Sequence, residues 1–193
     1  LVSENADLDF AQAFVEELAG DPTKAREMLS SILKAHPSLT RARYALAEFE
    51  KRQGNLDAAI SVIQPLIEEN PLNFDALNYI GYALIEIPGR RKQARLLLQR
   101  AIELAPDNAF ILDSFGWLLY HEGKLQQAER FLERAARLSP AQPEAIAHLA
   151  ELRWRQGDTV QANRLFTRAT GLAQSPTMRT KIQSRQHLLN TKP

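Results

Sequence analysis

The sequence predicts an all-α protein that is built as a solenoid of stacked helical hairpins. The first indication is a glycine that returns after 34, 35, 34 and 34 residues. An alanine follows each of these glycines by five residues, and a proline follows each of the first four by seventeen. Three residue types in one register indicate a repeat architecture. The repeated residues are Gly20, Gly54, Gly89, Gly123 and Gly157; Ala25, Ala59, Ala94, Ala128 and Ala162; and Pro37, Pro71, Pro106 and Pro140.

The unit from residue 109 to 140 shows why each hairpin is expected to form. Two apolar-periodic stretches lie on either side of Gly123 and predict two helices. A glycine just past the first helix can adopt the left-handed conformation that ends it, and Pro140 cannot continue the second helix. We expect the small residues Gly116 and Ala128 where the two helix axes approach closely, so that a larger side chain at Ala128 costs about 1–3 kcal/mol. The predicted core residues are Leu112, Phe115, Leu119, Leu132 and Leu138.

Residues of this unit resemble the tetratricopeptide repeat, whose usual pattern has Trp or Leu, Leu-Gly, Tyr, Gly, Ala, Ala and Pro at the corresponding places. The resemblance covers nearly the whole chain and is weakest in the first unit, where Gln12-Ala13 replace Leu-Gly. It implies a right-handed superhelical solenoid of five hairpins plus a C-terminal capping helix, in a single domain over residues 1–193. The implied repeats are about 6–39, 40–73, 74–108, 109–142 and 143–174. The residues that carry the pattern are Leu112, Phe115, Gly116, Leu119, Gly123, Ala128, Ala135 and Pro140.

The C-terminal segment predicts the capping helix, at about residues 176–190. Ser175 can serve as the N-cap and Pro176 as the first helical residue. An apolar stripe of Met178, Ile182 and Leu189 can cover the last hairpin, and the basic residues of the segment are then expected to face water. The first helix carries Phe10 and Phe14 and lacks an equivalent polar cap, which favours a truncated array.

The composition is typical of a soluble globular chain. The 193 residues are 45% hydrophobic, with 24 basic and 23 acidic residues, so no bulk charge attracts nucleic acid. No run of eighteen apolar residues predicts a transmembrane segment. Residues 1–20 lack the basic and apolar regions of a signal peptide, and a chain that begins with Leu1 is interpreted as a processed product or a fragment. The absence of cysteine excludes disulfides and cysteine-ligated metals.

No residue pattern predicts catalysis, a cofactor or a metal site. The four histidines, His36, His121, His148 and His187, have no carboxylate or second histidine at ligand spacing. The run His121-Glu122-Gly123 lacks the second histidine of the HExxH zinc motif. Each repeat glycine is isolated, so none belongs to a phosphate-binding loop. We therefore expect a noncatalytic interaction module, with the histidines solvated or satisfied within the fold.

The resemblance implies that repeat positions 2, 5, 9 and 12 point into a concave groove, and their spacing also places them on one helical stripe. Aromatic residues dominate that stripe. The core is already filled by other residues, so we expect Phe110, Trp117 and Tyr120 to be exposed. Exposed aromatic rings are typical anchors of a partner-binding site. The alternative is that these rings pack against neighbouring repeats or against the chain's own tail. The candidate partner-binding residues are Phe10, Phe14, Tyr44, Asn78, Tyr82, Phe110, Asp113, Trp117, Tyr120, His121, Trp154 and Arg155.

Comparison with two branches of the family indicates which class of ligand and which compartment to expect. Co-chaperones of the family hold a C-terminal carboxylate with a lysine, asparagine and arginine clamp, but Tyr44, Glu48 and Asp113 stand at clamp positions here. An apolar or mixed-charge segment of a protein fits better. Runs such as ALNYIGYALIE are similar to those of Gram-negative tetratricopeptide lipoproteins, some of which are adaptors. This similarity favours a bacterial scaffold in the periplasm or at the outer membrane, with the cytoplasm as the alternative.

Two irregularities suggest further contacts. The 35-residue interval places Arg90, Arg91 and Lys92 near a helix start. These residues either meet an acidic partner or a phospholipid head group, or they are solvated.

Residues 1–21 hold six acids and no bases, whereas residues 159–193 hold six bases and no acids. Opposite charges at the two ends give an alternative function, head-to-tail self-assembly of a structural protein into a homo-oligomer. Independent capping of each end remains open as well.

Overall fold

The computed structural model describes the backbone of residues 3–191 and the side chains of residues 9–189 and 191. The side chains of Glu4, Asp7 and Lys192, which contribute to the predicted charge asymmetry, lie outside the described residues. Eleven α-helices and no strand occur in the described range, which confirms the predicted all-α class. The helices are α1 Ser3–Leu18, α2 Pro22–Ala35, α3 Thr40–Arg52, α4 Leu56–Glu69, α5 Phe74–Ile85, α6 Arg91–Leu104, α7 Ala109–His121, α8 Leu125–Leu138, α9 Pro143–Arg155, α10 Thr159–Leu172 and α11 Pro176–Asn190.

Four of the repeat glycines, Gly20, Gly54, Gly123 and Gly157, end the first helix of their hairpins. All five adopt the left-handed conformation, with φ between 76° and 90°. At Gly123 the backbone forms a Schellman motif, because its N–H donates to the Tyr120 carbonyl at 3.0 Å and the Lys124 N–H donates to the Leu119 carbonyl at 2.9 Å. The predicted role is therefore confirmed for these four glycines. Gly89 lies in the longer turn between α5 and α6, after the helix has already ended at Ile85.

Close approach of the paired helices depends on small residues. A Cβ atom added at Gly116 would lie 2.7 Å from the Leu132 Cγ atom, and Gly81 has the same relationship to Leu98. Ala128 is completely buried, as predicted. Of the predicted core residues, Leu112, Phe115, Leu119 and Leu132 are buried, but the prediction for Leu138 was wrong. Leu138 is half exposed because it is the last residue of α8, past that helix's buried stripe.

The first helices of the later repeats form an inner layer. Helix α5 packs against α7, and α7 packs against α9, in addition to the contacts within each hairpin. Helix α11 packs against α9 and α10, in the place that the first helix of a sixth repeat would take. Ser175 caps α11 as predicted, since its hydroxyl accepts a hydrogen bond from the Met178 N–H at 3.1 Å.

The outer side of α1 is the place where the repeat pattern is incomplete. Val15 is 57% exposed, although the residues at the same repeat position in later hairpins are all buried. In the later hairpins the first helix packs against the second helix of the preceding hairpin, and among the described residues α1 has no such neighbour. The buried equivalents are Phe49, Ala83, Leu118 and Leu152. Within residues 3–191, none of the helices combines the length and the apolar character needed to span a membrane.

Candidate functional site: the concave groove

Aromatic rings of α7 form a compact stack on the inner layer. The Trp117 ring lies parallel to that of Tyr120, with centroids 4.7 Å apart, and parallel to that of His148 on α9, at 4.1 Å. The His121 ring meets Trp117 edge-on at 4.6 Å. The structure thus brings together three of the predicted groove residues, Trp117, Tyr120 and His121.

The expected exposure of these rings was wrong for two of the three α7 aromatics. Trp117 is 3% exposed and Tyr120 is 9% exposed, whereas Phe110 is largely exposed as predicted. Burial follows from what lies on either side of the stack: the His148 ring packs on Trp117, and the Arg185 guanidinium of α11 lies 5.3 Å from the Trp117 centroid. The rings therefore pack against a neighbouring repeat and the chain's own C-terminal helix, which was the alternative left open by the sequence.

A buried acid–base pair lies beneath the stack. The Nδ1 atom of His148 is 2.9 Å from Oδ1 and 3.0 Å from Oδ2 of Asp113, and both side chains are buried. Asp113 therefore does not project from the groove as an accessible ligand-binding group. The sequence reading missed this pair because the two residues are far apart in the chain. They occupy adjacent positions of consecutive repeats, however, so aligning the repeats would have predicted that the two side chains lie close together.

Charged side chains of α9 and α11 close this end of the groove. The Lys181 ammonium lies 2.8 Å from Oε1 of Glu144, and the Arg185 Nη1 atom lies 3.2 Å from Oε1 of Glu151. The Tyr82 hydroxyl donates to Glu144 at 3.2 Å. The expectation that the basic residues of the tail face water was therefore wrong for Arg185, because the buried Glu151 carboxylate on α9 attracts it. Lys181 remains exposed beside Glu144, as predicted.

Burial and these charges shift several pKa values. Burial opposes ionisation of Glu144, but the positive charges of His148, Lys181 and Arg185 prevail and lower its pKa to about 2. Burial raises the pKa of Glu151, although Arg185 acts in the opposite direction. The pKa of His121 falls to about 4, mainly because burial disfavours the imidazolium.

The flanks of the stack carry further cations. Arg155 donates to the Tyr120 carbonyl at 3.1 Å and lies 5.0 Å from the Tyr120 ring centroid, next to the half-buried Trp154. On the other side, an Arg91 Nη2 atom lies 3.5 Å from His121 Nδ1. Arg90 pairs with Asp57 at 3.1 Å, so the basic turn at Gly89 is partly neutralised within the chain.

The other end of the groove is open. A cleft of about 320 Å³ lies between α1, α2 and α3. Phe14 projects into it and is 55% exposed, and the Arg41 guanidinium lies 5.4 Å from the Phe10 ring centroid. Arg52 donates two hydrogen bonds to Glu17, at 2.9 and 2.7 Å. The cleft is lined by Phe10, Ala13, Phe14, Glu17, Leu29, Arg41, Ala45, Glu48 and Arg52.

Tyr44 and Asn78 lie between the two ends of the groove, on α3 and α5. The Tyr44 ring meets Tyr79 edge-on at 5.7 Å, and burial raises the pKa of Tyr44 to about 12. The Tyr44 hydroxyl and the Asn78 Oδ1 atom are buried without a hydrogen-bond partner among the described residues. Among those residues, no group of three or more histidine and carboxylate side chains is placed to hold a metal ion.

Comparisons with known proteins agree with this architecture. A tetratricopeptide repeat model matches residues 18–79 and 119–180, and a second tetratricopeptide repeat model matches residues 50–109. Over 101 residues the chain is 36% identical to TPR repeat-containing protein PA4667 of Pseudomonas aeruginosa. That match covers 52% of this chain and 17% of the relative, so the chain spans less than a fifth of the relative's length.

Solved structures show the same fold at low sequence identity. The thermophilic TPR protein TTC0263 of Thermus thermophilus superposes with a TM-score of 0.75 at 21% identity, covering 97% of this chain and all of that one. PilF of Pseudomonas aeruginosa superposes with a TM-score of 0.64 at 20% identity, covering 98% of this chain and 86% of that one. The repeat models match more than half of the chain, and the chain belongs to the tetratricopeptide repeat family.

Proposed function

We propose that this protein is a noncatalytic adaptor that holds a peptide or a helical segment of a partner protein in its concave groove. The tetratricopeptide fold is a protein–protein interaction scaffold, and the five hairpins with α11 form one domain in this proposal. The partner segment enters at the open end of the groove, in the cleft between α1, α2 and α3. The aromatic stack at the other end supports the shape of the groove.

The observation that carries this proposal is the exposure of Phe14 within the cleft. Exposing a large apolar side chain to water is unfavourable, and covering it with a partner lowers the free energy of the system. The cleft also offers charged side chains of both signs, Glu17, Arg41, Glu48 and Arg52, around an apolar floor of Ala13, Leu29 and Ala45. Such a floor and rim suit an amphipathic segment, since interfaces combine an apolar centre with a polar edge.

Affinity capture from the native lysate tests the proposal with matched variants. Phe14→Ala removes the exposed ring, whereas Leu96→Ala removes an exposed side chain from the second helix of the third repeat. We expect a specific partner to be lost with Phe14→Ala and retained with Leu96→Ala. Trp117 and Tyr120 are unsuited to this comparison because both are buried. Retention of every captured protein by Phe14→Ala would contradict the proposal.

Head-to-tail assembly is the second candidate, and the ion pairs weaken its electrostatic basis. Of the end charges, Glu17 is paired with Arg52 and Glu16 with Lys24, while Lys181 and Arg185 face Glu144 and Glu151. The exposed Phe14, Val15 and Leu18 of α1 still give an apolar surface on which a second copy could dock. Light scattering at low and high salt tests whether the end charges drive assembly. A monomer at both salt concentrations would exclude charge-driven assembly.

A further inference from the structure

Helix α11 contributes less fully buried apolar surface than the hairpin helices. Among its described side chains, Ile182 alone is fully buried, packed with Phe166 and Ala169 of α10 and Ile146 of α9. The predicted stripe is completed by Met178 and Leu189, which are partly buried against the same cluster. Helix α10 by contrast buries Ala162, Phe166 and Ala169. Because apolar burial is the main source of packing free energy, α11 is expected to open more readily than the hairpins.

Polar and cationic contacts supply the rest of the attachment. Lys181 contacts Glu144 at 2.8 Å, and one turn later Arg185 contacts Glu151 at 3.2 Å while its guanidinium lies over the Trp117 ring. We call the surface formed by Trp117, Glu144 and Glu151 the arginine seat. A cation over an indole, flanked by carboxylates, combines a cation–π contact with an ion pair. The seat thus holds Lys181 and Arg185, which are four residues apart on α11.

The arginine seat is held in place by residues outside α11. His148 stacks on Trp117 and is itself held by Asp113, and the indole Nε1 donates to Glu86 Oε1 at 3.3 Å. The Tyr82 hydroxyl fixes Glu144. None of these contacts involves α11.

We infer that the arginine seat is an exchangeable docking site for a basic amphipathic helix of a partner protein, and that α11 is the chain's own occupant. The partner helix carries a lysine and an arginine four residues apart with an apolar residue beside the lysine, as Lys181, Ile182 and Arg185 do. Its binding displaces α11 and extends the groove from the open cleft across α7 and α9. The inference rests on the proposed function, to which it adds the chemistry of the ligand.

Hydrogen exchange on the full chain tests the attachment of α11. Replacing Arg185 by glutamine removes the cation from the seat and is expected to accelerate exchange of the α11 amides about tenfold. Arg179→Gln is the matched control, because Arg179 is on the same helix but donates to the Ala173 carbonyl instead. Arg185→Lys retains the charge without the planar guanidinium and is expected to lie between wild type and Arg185→Gln. Equal exchange in Arg185→Gln and Arg179→Gln would overturn the inference.

A labelled synthetic peptide with the sequence of residues 174–191 tests exchangeability by fluorescence anisotropy. We expect it to bind the Arg185→Gln chain about tenfold more tightly than the wild-type chain, whose own α11 competes at a high effective concentration. The same peptide carrying R185Q is expected to bind the Arg185→Gln chain at least about tenfold more weakly than the unaltered peptide. Equal binding of the two peptides, or no binding of either, would overturn the inference.

The test of the arginine seat can fail or succeed independently of the test of the cleft. Phe14 lies in the cleft, away from the arginine seat, so Phe14→Ala is expected to leave binding of the α11 peptide unchanged. If Phe14→Ala retains all captured proteins while the α11 peptide binds as described, the cleft proposal fails and the exchangeable seat stands. If Phe14→Ala loses its partner while the two peptides bind equally, the seat fails and the cleft proposal stands.

Discussion

Asp113 of α7 and His148 of α9 form a buried pair that joins the fourth and fifth repeats, with the histidine Nδ1 atom 2.9 Å from one carboxylate oxygen and 3.0 Å from the other. The imidazole also supports the Trp117 ring by stacking. A polar pair at this depth is costly to break, because removal of one partner leaves the other unsatisfied in the protein interior. The pair thus ties the geometry of the aromatic stack to the interface between two repeats.

The free-energy costs of removing Asp113 and His148 are expected to be non-additive. Asp113→Leu should lower the free energy of unfolding by about 3–5 kcal/mol, because His148 loses its partner. In the double variant Asp113→Leu/His148→Leu the two effects should fall short of their sum by about 1–3 kcal/mol. Urea denaturation of the four chains of the cycle measures this coupling. Strict additivity would show that the pair does not act as a unit.

Gly116→Ala is expected to destabilise the fold by about 1–3 kcal/mol through overpacking. The added methyl group would lie 2.7 Å from Leu132 Cγ and 3.1 Å from the Leu132 backbone nitrogen, so the two helices must move apart. Gly171→Ala is the control: it is also within a helix, but its added Cβ meets nothing within 4 Å. There we expect stabilisation of about 0.5–1 kcal/mol from the helix preference of alanine. Thermal unfolding distinguishes these opposite signs, and equal effects would contradict the predicted close contact.

Leu118→Ala and Val15→Ala are expected to differ although both residues occupy the same repeat position. Leu118 is completely buried at the interface between hairpins, so its truncation should cost about 2–5 kcal/mol. Val15 is mostly exposed on α1, and its truncation should change the free energy of unfolding by less than about 0.5 kcal/mol. Chemical denaturation provides the comparison. A large cost at Val15 would mean that the outer side of α1 is covered in solution.

The low pKa of His121 predicts a pH dependence of stability. Burial lowers this pKa to about 4, from 6.5 for an ordinary histidine, so the unfolded chain binds a proton at higher pH than the folded chain. This contribution to the free energy of unfolding is therefore complete above about pH 6.5 and is lost as the pH falls towards 4. The charges that face the ring are Glu86, which opposes the shift, and Arg91, His148 and Arg185, which add to it.

His121→Gln should flatten the stability profile between pH 6.5 and 4 by removing this titration. His187→Gln serves as the control, since His187 is exposed on α11. Thermal unfolding midpoints recorded across this pH range check the prediction. If the unfolding midpoint of His121→Gln falls with pH as steeply as that of the wild type, the His121 imidazole does not govern the loss of stability at acid pH.

The repeat register could be derived from the sequence because glycine, alanine and proline each meet a local backbone or packing demand. Gly123 needs a left-handed conformation, and Ala128 sits at a helix crossing; both demands depend on neighbours close in the chain. The helical stripe that carries Trp117, Tyr120 and His121 could also be derived from the sequence, but the burial of Trp117 and Tyr120 could not. Trp117 is covered by His148 and Arg185, which are 31 and 68 residues away, and such contacts depend on how successive repeats stack.

The most direct test of the account is photo-crosslinking of the native partner. The crosslinking amino acid p-benzoylphenylalanine is placed at Phe14 in the cleft or, as a control, at Leu96 on the second helix of the third repeat. The two sites are similarly exposed but belong to different surfaces. We predict a discrete covalent adduct with a partner segment from position 14 and none from position 96. Equal labelling at both positions, or adducts from position 96 alone, would contradict a binding site in the concave groove.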